Sequence, residues 1–145
     1  MKQIGNLTKH HYIARCQSAY FSRCKSEVES DSCVLVSDFS ENFAFVIQDA
    51  VQGYYWMTDH ATLLPFMAYM KNTDGSVFNV SLCVISNHMT HDTIAVHAFL
   101  RPVLLYLKTI NPLLKKIVYW TDGAASQYKN RKILQICVAM NKISG

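Results

Sequence analysis

The sequence predicts a mixed α/β fold in which one sheet combines an antiparallel hairpin with a parallel strand pair and is flanked by helices. The composition supports one compact domain, because half of the 145 residues are apolar and only five Gly and three Pro are present. The order of the predicted elements supports the type of sheet. A strand–helix–strand connection after a hairpin brings the last strand parallel to the first.

The N-terminal part of the chain predicts a long helix, a buried strand and a short helix. Residues 6–29 carry apolar side chains at three-to-four spacing, which is typical of an amphipathic helix. Residues 33–39 are apolar and β-branched, so we predict a buried strand that ends at Asp38. A turn over residues 39–43 follows. Apolar pairs four residues apart then predict a short helix over residues 46–55.

A hairpin is predicted in the middle of the chain. Residues 61–70 form its first strand, and Pro65 requires an edge position or a bulge, because proline has no N–H for the ladder. Residues 71–75 form the turn, and residues 77–85 form the return strand. The return strand alternates, with one face made of Phe78, Val80, Leu82 and Val84.

A helix, a strand and a final helix complete the pattern. We predict that Thr90 caps a helix over residues 91–110, bent where Pro102 removes a backbone hydrogen bond. The apolar residues 117–120 predict a strand that leads to Asp122. Residues 127–142 predict a second amphipathic helix.

Hydropathy and cysteine usage indicate the compartment. No apolar run approaches the roughly 20 residues that cross a bilayer, and the N-terminus lacks the apolar core of a signal peptide. We therefore expect a nuclear or cytoplasmic protein that is not secreted and does not enter a membrane; a homo-oligomer is possible. The five cysteines are widely spaced and odd in number, which predicts reduced, mostly buried thiols, with a structural zinc site as the alternative.

The distribution of charge favours a polyanion as partner. The net charge is +4, but residues 1–100 contain six Lys or Arg against nine Asp or Glu, whereas residues 101–145 contain eight against one. Such asymmetry is typical of chains that bind nucleic acid. The alternative is that the C-terminal cations form only a solvated surface.

The segment that begins with Asp122 carries the clearest chemical signal. Three cations open the predicted helix, although the macrodipole favours acidic residues at a helix N-terminus. Cations beside free backbone N–H groups suit an anion such as phosphate. Amide and aromatic side chains in the same segment could contact phosphates or bases. The predicted nucleic-acid-binding residues are Gln127, Tyr128, Lys129, Asn130, Arg131 and Lys132.

Asp38 and Asp122 are the candidate metal ligands. If the first and last strands are parallel neighbours, both carboxylates emerge at one edge of the sheet. Two carboxylates about 4 Å apart repel each other by roughly 4 kcal/mol at an effective dielectric of 20, so the pair favours a bound hard cation such as Mg²⁺. The alternative is that both aspartates are ordinary turn residues after strands.

Other residues carry weaker signals. His88, His91 and His97 could suggest a metal, but helix-start or core positions explain them as well. Tyr119 and Trp120 could stack on bases, but packing within a strand is the simpler interpretation.

Two segments resemble a group of transposon-derived proteins. Residues 34–43, with Asp38, Glu41 and Asn42, and residues 119–131, with Asp122-Gly-Ala-Ala-Ser-Gln-Tyr-Lys-Asn, are similar to proteins whose retroviral-integrase-like (RNase H-like) core is related to the DDE transposases. The resemblance covers about residues 30–143. It implies an N-terminal helical segment, residues 1–31, followed by a partial RNase H-like core, residues 32–145, that is incomplete at its C-terminus.

The resemblance implies metal-dependent phosphoryl transfer on DNA. Asp38 and Asp122 would be the first two catalytic acids and would hold two Mg²⁺ or Mn²⁺ ions. The family's third acid follows a His-Gly-Lys-type segment further along, and no Asp or Glu follows Asp122 in this sequence. Glu41 is a candidate substitute, with a turn residue as the alternative. We expect the chain alone to be inactive. The alternative functions are a non-catalytic nucleic-acid-binding or protein-interaction domain derived from such a core, or a gene fragment without a cellular task.

Overall fold

The computed structural model describes residues 2–40, 42–45 and 60–121, with side chains from residue 8 onward. Within these ranges the chain has a mixed α/β fold, as predicted. Its elements are α1 (Lys2–Ser26), β1 (Ser32–Ser37), β2 (Phe43–Ala44), β3 (His60–Lys71), β4 (Val77–Ser86), α2 (Thr93–Ile110) and β5 (Lys116–Trp120). The predicted helices over residues 46–55 and 127–142 lie outside the described residues.

The sheet has β3 and β1 at its centre. β4 pairs antiparallel with β3, β3 pairs antiparallel with β1, and β5 pairs parallel with β1. The predicted combination of an antiparallel hairpin and a parallel pair is therefore confirmed. The predicted inward face of the return strand is confirmed too, because its four apolar residues pack against the core.

The chain after β1 stays beside β3, with one additional residue. Ser37 pairs with Phe66 and Phe43 pairs with Ala61. The chain therefore advances six residues after β1 while β3 advances five. Between these pairs five residues of the segment correspond to four of β3, so β1 and β2 do not form one continuous ladder with β3. The prediction of a turn over residues 39–43 is therefore wrong at its end, since Phe43 belongs to the two-residue strand β2.

Pro65 lies in an interior strand, so an edge position for this residue is ruled out. It pairs with Cys83 of β4 on one side. On the other side, continuation of the β1 register brings it opposite Asp38, one position beyond the last β1 pair, Ser37 with Phe66. The missing N–H thus coincides with the interruption between β1 and β2, where the ladder loses little.

Helix α2 covers one face of the sheet. Its N-cap is Asp92, whose side chain accepts a hydrogen bond from the backbone N–H of Ala95 at 2.8 Å, so the predicted cap, Thr90, is wrong. Pro102 lies inside the helix, which continues to Ile110. Among the described residues, α2 is the one helix long and apolar enough to cross a bilayer. Its buried side packs on the core strands, as expected for the core helix of a globular domain.

Among the described side chains, helix α1 contacts the opposite face of the sheet through its C-terminal turns. The ring of Phe21 lies 5.0 Å from the ring of Trp120, and Lys25 Nζ lies 5.2 Å from the ring centroid of Tyr69. Every residue from 8 to 20 is exposed. The predicted amphipathic packing of this helix is therefore restricted to its last two turns.

The cysteines follow the prediction only in part. Cys33 is buried in β1, and burial raises the pKa of its thiol to about 12, so this thiol stays protonated and inert at neutral pH. Cys16 and Cys83 are exposed, and Cys24 is half-buried. The prediction of mostly buried thiols is therefore wrong for the first two. Cys137 lies outside the described residues.

Candidate functional site

Asp38 is exposed immediately after β1. The strand beside it, β5, runs in the same direction, and the last pair between them joins Val36 to Trp120. Asp38 follows two residues after Val36, and Asp122 follows two residues after Trp120. Asp122 itself lies outside the described residues.

The backbone around Asp38 is held on both sides. The hydroxyl of Ser37, which is buried, shares a hydrogen bond with the hydroxyl of Tyr119 in β5. Two residues further on, the backbone N–H of Ser40 donates to the carbonyl oxygen of Leu63 at 3.2 Å, and the Ser40 hydroxyl donates to the same oxygen at 3.1 Å. The carboxylate is thus exposed while the main chain that carries it is anchored to both neighbouring strands.

His91, just before α2, fixes the segment that follows Asp38. Its ring stacks on Phe39, with centroids 4.3 Å apart and planes 10° apart. Its Nε2–H donates to Asn42 Oδ1 at 2.8 Å, because an amide oxygen is only an acceptor. Phe39 also meets Phe99 of α2 edge to face at 6.3 Å. The ring of His91 therefore connects the start of α2 to both Phe39 and Asn42.

Thr62 of β3 lies beneath this contact and is fully buried. Its hydroxyl donates to the carbonyl oxygen of His88 at 2.7 Å and is 3.1 Å from Asn42 Oδ1. It is also 3.3 Å from His91 Nε2. A buried group of this kind is stable only when its polar atoms are all paired. The four side chains, Phe39, Asn42, Thr62 and His91, form what we call the His91 network.

The sequence did not reveal the His91 network. Asn42 and Phe39 belong to the segment that carries the resemblance, but their partners Thr62 and His91 lie 20 and 49 residues beyond Asn42. Only the fold brings them together. The prediction that His91 is a helix-start residue agrees with its position one residue before the cap of α2.

Asp38 suits a hard divalent cation as one ligand. Mg²⁺ typically takes one or two carboxylates and keeps several waters, and an exposed carboxylate on an anchored backbone can supply such a contact. Among residues 2–40, 42–45 and 60–121, no group of three His, Cys, Asp or Glu side chains is arranged to hold a metal. A complete site would therefore need ligands from the rest of the chain, from water or from a substrate.

Most of the predicted binding residues lie outside the described part of the chain. This holds for Asp122, for Glu41 and for all six residues from Gln127 to Lys132. The two aromatic residues of β5 are described, and both pack inside the molecule. Tyr119 lies against the core below α2, and Trp120 lies between Tyr20 and Phe21 of α1.

Trp120, at the end of β5, has an unsatisfied hydrogen-bond donor. Its indole Nε1 is buried and has no partner among the described residues. Such a donor usually finds a partner, because leaving it unpaired costs about 1–3 kcal/mol.

Fold and site together define a mixed α/β domain with an exposed carboxylate after the first strand of its parallel pair. The chain belongs to a family described as a domain of unknown function, DUF8701, whose model matches residues 17–143. The match includes the C-terminal part of α1, the whole described sheet and the segment around Asp122. No curated protein and no solved structure matches the chain.

Proposed function

We propose that the chain is a DDE-type transposase- or integrase-like core, or a remnant of one, with an RNase H-like fold that binds DNA. Asp38 and Asp122 hold Mg²⁺ or Mn²⁺ in this proposal, and the residues from Gln127 to Lys132 contact the DNA backbone. The protein acts in the nucleus or cytoplasm and does not enter a membrane.

The register between β1 and β5 carries the proposal. The pair Val36–Trp120 precedes both aspartates by two residues, so continued parallel pairing would bring the two carboxylates to adjacent positions. The strand order β4–β3–β1–β5 also supports it, because the first strand then lies between the hairpin and the parallel strand, as an RNase H-like sheet requires.

The chemistry divides between the cation and the chain. A bound divalent ion would stabilise the charge that develops on the reacting oxygens of a phosphodiester. The chain's own residues supply position and charge: Ser37, Ser40 and the His91 network hold the backbone at Asp38, and the cations after Asp122 attract phosphate.

A non-catalytic DNA-binding domain derived from such a core is the second candidate. It is favoured by the charge of residues 101–145, eight Lys or Arg against one acidic residue, which attracts DNA whether or not a metal is bound. The two candidates share the fold and the DNA contacts but differ in catalysis. A protein-interaction domain would share only the fold.

The metal site is tested by titrating the full chain with Mn²⁺ in a calorimeter. Asp38→Asn and Asp122→Asn should each weaken binding at least about tenfold, because even residues that only orient a ligand contribute that much. The matched control is Asp74→Asn. Asp74 lies in the β3–β4 turn, near the start of β1 and so at the opposite end of the sheet, and it should leave Mn²⁺ binding unchanged. Equal affinity in wild type and both site variants would remove the metal site.

The DNA contacts are tested by measuring affinity for duplex DNA against salt concentration. Replacing Lys129, Arg131 and Lys132 with Gln should flatten the slope by up to about three phosphate contacts. The control replaces Lys71, Lys115 and Lys116 with Gln, which removes the same charge at the opposite end of the sheet. Mn²⁺-dependent nicking of the DNA would favour the enzyme, whereas binding without nicking would favour the second candidate. An unchanged slope would place the contacts elsewhere.

A further inference from the structure

We propose that residues 8–20 of α1, which we call the α1 arm, bind the phosphate backbone of DNA beside the Asp38 end of the sheet. This inference rests on the proposed function. It adds a surface that the sequence analysis did not include, since that analysis assigned DNA contacts only to the C-terminal cations.

The charge of α1 is the first observation. Its 25 residues contain five Lys or Arg and no Asp or Glu. Between α1 and Leu100 the chain has nine acidic residues and only one Lys or Arg. Nearly all of the positive charge in the first hundred residues is therefore collected on this one helix, where a polyanion would be attracted.

The exposure of the α1 arm is the second observation. Tyr12 and Ile13 are 70% and 54% exposed. Lys9 and Arg15 are exposed and form no ion pair within the described part of the chain, whereas Arg23, closer to the sheet, lies 4.0 Å from Glu27. Lys9, Tyr12 and Arg15 are spaced three residues apart, so they are neighbours on the helix surface. Two cations with a phenol hydroxyl between them suit phosphate oxygens.

The direction of α1 is the third observation. Lys25 contacts Tyr69, which pairs with Val34, whereas Tyr20 and Phe21 contact Trp120, which pairs with Val36. Followed from its C-terminus toward its N-terminus, α1 therefore crosses the sheet from β3 to β5. It also moves along the direction of β1, toward the end that carries Asp38. The α1 arm leaves the sheet on that side, and its 13 residues extend for about 20 Å at 1.5 Å per residue.

DNA explains the α1 arm better than a second copy or a membrane does. Two α1 helices side by side would bring ten cations together without one carboxylate on either helix to compensate. A helix that lies on a membrane needs a continuous apolar face. Helix α1 is only weakly amphipathic, and Ile13 has Lys9 one turn before it and Gln17 one turn after it.

The test uses the full chain with Lys9→Gln and Arg15→Gln combined. Both side chains are exposed, so the free energy of unfolding of the double variant should differ from that of wild type by no more than about 0.5 kcal/mol. The slope of log affinity for duplex DNA against log salt should fall by about two, one for each lost phosphate contact. The matched control combines Lys115→Gln and Lys116→Gln, at the opposite end of the sheet, and should keep the wild-type slope.

Each outcome separates the arm from the proposed function. A reduced slope with unchanged Mn²⁺ binding supports the α1 arm. A wild-type slope in the double variant would contradict DNA binding by the α1 arm and leave the proposed function intact. If the wild-type protein shows no salt-sensitive DNA binding, both the inference about the α1 arm and the proposed function are wrong. Binding to phosphatidylserine vesicles that is lost in Ile13→Ser would assign the arm to a membrane and overturn the inference. Self-association that is lost in the same variant would assign it to a second copy, with the same consequence.

Discussion

Thr62 shows how one side chain can control the order around an exposed carboxylate. It is a polar residue among the fully buried ones, in a strand whose inward neighbours are apolar. Its hydroxyl meets the carbonyl oxygen of His88 on one side and Asn42 on the other. Through Asn42 and His91, this hydroxyl supports the segment that begins at Asp38. Alternation along β3 places position 62 on the same face as Leu64 and Phe66, where a polar side chain is unexpected.

Thr62→Val should lower the free energy of unfolding by about 1–3 kcal/mol, because it leaves the carbonyl oxygen of His88 without its donor in a partly buried contact. Urea denaturation measures the change. The matched control is Thr109→Val, whose hydroxyl donates to a backbone carbonyl at the same distance, 2.7 Å, but in an exposed position. The control should shift stability by no more than about 0.5 kcal/mol. Equal effects in the two variants would show that the His91 network contributes no special stability.

Helix α2 illustrates what happens at the scale of one element. The sequence predicted its extent closely, because a long apolar pattern with a stop at Asn111-Pro112 is a strong signal. The cap was missed, since Thr90 and Asp92 are both good capping residues and only the entry of the chain into the helix selects Asp92. Pro102 is exposed inside the helix, and Ala98, four residues earlier, is exposed as well. Water can therefore replace the lost hydrogen bond.

Pro102→Ala should stabilise the chain by about 2 kcal/mol. Proline destabilises a helix interior by about 3 kcal/mol relative to alanine. Proline also restricts the unfolded chain, which stabilises the folded state and offsets up to about 1 kcal/mol of that cost. The midpoint of urea denaturation checks this, with Arg101→Ala as the control at a neighbouring exposed position. A loss of stability in Pro102→Ala would mean that Pro102 itself contributes to the packing of α2 on the sheet.

The described part of the chain divides into a sheet packed against α2 and a helix, α1, of which only the C-terminal turns contact that sheet. The core joins the buried faces of β1, β3 and α2, whereas α1 touches the sheet only at its C-terminal turns. A helical stretch without tertiary contacts is marginal in water at this length. Stability is therefore expected to differ strongly between the two parts.

Hydrogen exchange should reveal this difference directly. Amides of residues 10–19 should exchange with opening free energies near zero, while amides of Phe66, Ala68 and Leu107 should approach the global value. The measurement is native-state exchange followed by mass spectrometry at peptide resolution. Added duplex DNA should protect residues 10–19 if the α1 arm binds it. Strong protection of these residues in the free protein would instead reveal a packing partner for the α1 arm.

Local patterns determined the elements, and the tertiary structure decided how they meet. Period-two alternation, a Gly-containing turn and a long apolar helix are signals between near neighbours, so the hairpin and α2 could be predicted from the chain itself. The position of Pro65 opposite the break after Ser37, the pairing of Phe43 with Ala61 and the contact of Asn42 with His91 depend on register between distant segments. Register follows from the packing of all faces at once, and no local pattern encodes it.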